Sequence, residues 1–201
     1  MEKNLLYKIA QKRLSKDEFD YIQNIDVKNE NMSIYKQVEL FELSLNKGVG
    51  IHNINDFVEG RGRYNIKDRD IFRPFQYIEA YLQMDYEDIE WITREIVHMC
   101  GLHLESAIKR LFKLTRIPLG QALTYKIAEL KLGRELLSDL KVIVKPYNSA
   151  KHSLMHDKDT HMFDIHTTLL CYAITRKLSN ELLPLIHLYT DENVWKEGVR
   201  K

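Results

Sequence analysis

Cysteine is nearly absent: Cys100 and Cys171 are the only two in 201 residues, and they lie far apart with no Cys-x-x-Cys spacing. This excludes a disulfide framework and a thiolate zinc site, and points instead to two buried thiols. Proline occurs four times, and no Asn-Gly or Asp-Gly pair is present, so the turn chemistry of a β-hairpin protein is missing. No apolar run approaches the roughly 18 to 20 residues needed to cross a bilayer. The opening MEKNLLYKIAQKRLSKDEF also lacks the uninterrupted apolar core of a signal peptide. A cytoplasmic protein is expected. Charge of one sign is lacking as well: 30 Lys plus Arg against 29 Asp plus Glu exclude a globally basic nucleic-acid coat, so any nucleic-acid site must be local. With 44% apolar residues the chain can bury a core without staples, and one domain is expected.

What is present is helical periodicity, and an all-α antiparallel helical bundle follows. Leu5, Leu6 and Ile9 mark a first helix, and Ser15 with Glu18 forms a capping box for a second around Phe19 and Ile22. A third runs from Ser33 as N-cap to Lys47, with Ile34, Val38, Phe41 and Leu45 on one stripe and Gly48 as its stop. Residues 48–73 break the pattern, so this segment is mobile, functional, or interrupted by a short helix around Asp56 to Val58. Pro74 suits the first turn of the next helix, and Asp85 or Asp88 can cap a long one whose Ile89, Ile92, Ile96, Met99, His103, Ala107 and Leu111 demand partners. Pro118 starts another, with Leu119, Leu123, Ile127 and Leu130 on its stripe. Gly133 interrupts it and Pro146 ends it. The last spans about Thr160 to Leu185, with Pro184 kinking or ending it. Residues 1–73 thus read as a helical extension with a Gly-rich loop, packed on a bundle of residues 74–201.

His152, His156, His161 and His166 fall within fifteen residues, together with Asp157, Asp159 and Asp164. Lacking HExxH and CxxC, this reads as surface histidines around a turn, with no metal and no cofactor expected. Glu95 and His98 make one Glu-x-x-His step, but a carboxylate-bridged di-iron bundle needs a second. His103 on the long apolar stripe reads as a hydrogen-bonded core histidine. Gly60-Arg61-Gly62-Arg63, with Arg69 and Arg73, reads as a solvated loop.

The segment PYNSAKHSLMHDKDTHMFDIHTTLLCYAITRKLSNELLP, preceded by REIVHMCGLHLESAIKRLFKL, resembles the HEPN superfamily of small helical bundles over about residues 85 to 188. That superfamily carries an Arg-x(4–6)-His motif, often with a polar residue such as Asn after the Arg. Asn148 and His152 match the polar residue and the His, while Tyr147 stands in the place of the Arg. The resemblance implies a homodimer that engages RNA or a nucleotide. It implies metal-independent endoribonuclease activity in a defence or toxin–antitoxin setting, with a cognate antitoxin as a further partner. His152, Asn148 and Lys151 are then the catalytic set, and Lys145, Tyr147 and His156 the substrate-binding set. Tyr147 cannot supply the missing charge, so Lys151, Lys145 or the amide donors of a helix N-terminus at Asn148 are the candidates for it. The alternative is a non-catalytic helical dimerisation or interaction module.

Overall fold

The computed structural model describes residues 2–45, 48–54, 69–152 and 163–190, and eight helices account for nearly all of them. These are α1 (Glu2–Arg13), α2 (Lys16–Gln23), α3 (Ile34–Leu45), α4 (Arg69–Leu82), α5 (Tyr86–Phe112), α6 (Leu119–Ala122), α7 (Lys126–His152) and α8 (Ile165–Thr190). There is no strand among the described residues, and no helix among them is long and apolar enough to cross a membrane. The capping box opens α2: Ser15 Oγ accepts from the Glu18 amide at 3.1 Å, and the Glu18 carboxylate accepts from the Ser15 amide at 2.7 Å.

The long α5 is the centre, packed by α4, α7 and α8, while α1 and α2 lie on α8 and α3 lies on α4. One core runs through all of it, from Leu6 and Phe41 to Ile96, Leu140 and Ile174. Cys100 and Cys171 are buried thiols within that core. His103 is also buried: Nδ1 bonds the Ile71 carbonyl at 2.7 Å and Nε2 bonds Ser179 Oγ at 2.8 Å, and its ring stacks on Phe75.

Two prolines behave differently from expectation. α4 begins at Arg69, so Pro74 lies inside it: buried Ile71 and Phe72 anchor the preceding turn, and His103 bonds the carbonyl of Ile71. α7 continues through Pro146 to His152, because Pro146, Tyr147 and Ala150 are all buried against the bundle. Pro184 lies within α8 and does not end it. Packing outweighs the one backbone hydrogen bond that proline forfeits. The stripe expected from Pro118 onward also fails, since Ile127 is 39% and Leu130 82% exposed. Gly133, at φ 72° and ψ 166°, kinks α7 and resets the phase of its apolar face after these residues.

α5 and α7 approach closely at Gly101, where any Cβ would overlap the Tyr147 ring. Gly101→Ala should therefore displace that ring and lower stability by about 1–3 kcal/mol. Urea unfolding checks this, and an unchanged midpoint would mean that the helix spacing is not set there.

Candidate nucleic-acid interface

The last turns of α7 sort their residues by face. Ile143, Pro146, Tyr147 and Ala150 are buried, whereas Lys141, Lys145, Asn148 and His152, at steps of four, three and four, are all exposed along one stripe. The fold thus brings together Lys145, Asn148 and His152 from the sequence-derived set. Lys151 lies to one side, its ammonium 5.4 Å from the centroid of the Tyr147 ring. His156, with His161, Asp157 and Asp159, lies outside the described residues, as do the Gly60–Arg63 stretch and the Asp56–Val58 helix. Asn148 is not at a helix N-terminus. It sits well inside α7, where backbone amides are used by the helix itself, so the helix supplies no amide cradle for an anion there.

Tyr147 is 2% exposed, and its hydroxyl donates to Glu105 Oε2 at 2.7 Å. Burial, with the Glu105 carboxylate alongside, pushes this phenol well above its ordinary range. Burial also works to raise Glu105, but the Lys109 ammonium at 2.6 Å and the Tyr147 hydroxyl outweigh it and hold that carboxyl low. The residue standing in the motif's Arg position is therefore a core residue that locks α7 to α5. On the α5 side, Arg94 Nε donates to the Ala150 carbonyl at 2.7 Å, and the His98 ring stacks on Tyr147 with centroids 5.8 Å apart. Trp91, three residues before Arg94, is 77% exposed.

No family model, curated protein or solved structure matches this chain.

A second polar constellation went unnoticed in the sequence. Arg176 and Glu42 are both fully buried, with Arg176 Nε 2.5 Å from Glu42 Oε1. The Tyr172 hydroxyl donates to the same oxygen at 2.5 Å, and His52 Nδ1 lies 2.7 Å from Oε2. Burial acts to raise the Glu42 carboxyl, but His52, Arg176 and Tyr172 together reverse this and keep it low and ionised. The Tyr172 hydroxyl also accepts from the Ile51 amide at 3.2 Å, so the cluster fastens the loop after α3 onto α8. Arg176 lies in LLCYAITRKL, a run that reads as plain core. The one available signal was a guanidinium four residues after Tyr172 on a buried face. Among the described residues no three metal-binding side chains converge.

Proposed function

We propose that the chain is an HEPN-like homodimer that binds RNA along the exposed stripe of α7 and cleaves it without metal through His152. The observation that carries this reading is the stripe itself. Two lysines, an amide and an imidazole share one solvent-facing line at the end of a helix braced by Tyr147. Lysines so spaced can follow phosphates, and an imidazole can take up or give a proton at a ribose hydroxyl. His152 takes the 2′-OH proton, the 2′-oxygen attacks phosphorus to form a 2′,3′-cyclic phosphate, and the bond to the 5′-oxygen breaks as that oxygen takes a proton from water, His152 later returning its own to solvent. A two-fold dimer would bring the stripes of both subunits to one axis and double the cations available. The setting inferred from the resemblance is a defence or toxin–antitoxin system with a cognate antitoxin.

Burial of Tyr147 favours a second reading, a non-catalytic interaction module, since it puts a packing residue where the motif's cation belongs. Purified protein should cleave single-stranded RNA in the presence of a chelator, and His152→Ala should lose about 10²-fold or more of that rate. Light scattering on the same samples should report a dimer. Equal rates for both proteins, or no cleavage across a broad RNA panel, would hand the case to the interaction module.

A further inference from the structure

We infer that Arg94, His98 and Lys151 form an oxyanion notch between α5 and α7, a subsite for a phosphodiester or phosphate group. It deepens the RNA reading, on which the choice of ligand rests, by supplying from α5 the cation that position 147 lacks. Arg94 uses Nε to hold the Ala150 carbonyl in the last described turn of α7. That bond pins the guanidinium plane. Its two Nη nitrogens have no hydrogen-bond partner among the described residues and are not buried, so a planar fork of the kind that grips phosphate faces outward.

His98 stands one turn further along the same face of α5, its ring stacked on Tyr147 at an interplanar angle of 25°. Lys151 lies against the same tyrosine ring. One buried ring therefore positions two of the three groups, and the adjacent carbonyl positions the third. Glu105 is engaged by Lys109 and Tyr147, Glu95 Oε2 lies 3.7 Å from His98 Nδ1 with its side chain 43% exposed, and the exposed Glu90 stands one turn before Arg94 on α5.

The probes are inorganic phosphate and an uncleavable 2′-deoxy oligonucleotide, read by the His98 and His152 ring resonances and by titration calorimetry. Phosphate should move the His98 resonances in the wild type, and Arg94→Met should abolish that response. Arg94→Met and Lys151→Met should each weaken oligonucleotide binding by about tenfold or more, whereas Lys8→Met, removing an exposed charge from α1, should not. Arg94→Lys keeps the charge without the fork and should bind less tightly than wild type. It also serves if the methionine variant folds poorly. Oligonucleotide binding without any response to phosphate would mark the strand as the ligand; both responses would mark the phosphate group itself. Wild-type binding by Arg94→Met, an equal loss in Lys8→Met, or no response to either probe would overturn the notch. If the notch binds phosphate while no RNA is cleaved, the catalytic reading fails and the notch stands. If His152→Ala is inactive while Arg94→Met binds and cleaves normally, the notch fails and the catalytic reading stands.

Discussion

Arg176→Met should destabilise the protein by about 3–5 kcal/mol, since removing one member of a buried ion pair leaves the other uncompensated. The stranded group is Glu42, fully buried and bonded by Arg176, Tyr172 and His52. Its carboxylate would keep the tyrosine hydroxyl and the imidazole, but lose the permanent positive charge of Arg176 beside it. The loop carrying Ile51 and His52 depends on the same cluster and should loosen first. Hydrogen exchange at the Ile51 amide, which donates to Tyr172, is a direct reporter. A double variant, Glu42→Met with Arg176→Met, should recover much of the loss, because apolar groups of similar volume replace a buried pair at little net cost. If Arg176→Met unfolds at the wild-type urea concentration, the pair contributes nothing and the loop is held by packing alone.

Acid should destabilise the protein as the pH falls below about 6.5. Burial, reinforced by the nearby Arg176 charge and partly offset by the bond to the Ile71 carbonyl, pushes His103 down to about 4 from an ordinary 6.5. Above pH 6.5 the imidazole is neutral both folded and unfolded, so it adds no pH dependence. Between 6.5 and 4 the unfolded chain takes up a proton that the folded one refuses, so stability falls as the pH falls. Linkage puts the loss at about 2.5 kcal/mol between pH 7 and 4.5. Glu18, Glu42 and Glu105 are all held below the ordinary 4.5, so their contributions are lost only at lower pH and do not mask this window. Urea unfolding at pH 7 and at 4.5 measures the slope. His103→Leu should start less stable, because Ser179 and the Ile71 carbonyl lose their partner, yet lack that part of the slope. An identical slope in both proteins would place the proton uptake elsewhere.

The helices were legible wherever a local rule decides them. Ser15 with Glu18 marks the start of α2, and the apolar spacing from Ile89 to Leu111 describes α5 within a few residues. Even the role of His103 could be read from its place on the apolar stripe. Proline misled, because its penalty is a local quantity of about 3 kcal/mol. Buried Ile71, Phe72, Tyr147 and Ala150 outweigh that penalty in ways that windows around Pro74 and Pro146 do not reveal. Of the candidate site, the common line of Lys145, Asn148 and His152 follows from helical spacing once α7 is allowed to continue past Pro146. The inward turn of Tyr147 and the arrival of Arg94 do not.

By itself, then, the sequence determined that this is an all-helical protein with a local cluster of lysine, asparagine and histidine near residue 150, since periodicity, caps and spacing act over a few residues. Tertiary structure alone decided which charges go inside and which groups meet. Arg176 finds Glu42 134 positions away, Tyr147 finds Glu105 42 positions away, and Arg94 reaches Ala150 across 56. A guanidinium in an apolar run is equally readable as a solvated tip or a buried partner until a carboxylate from another helix is placed beside it. The free energy that settles the matter, desolvation against pairing, exists only once both helices are packed.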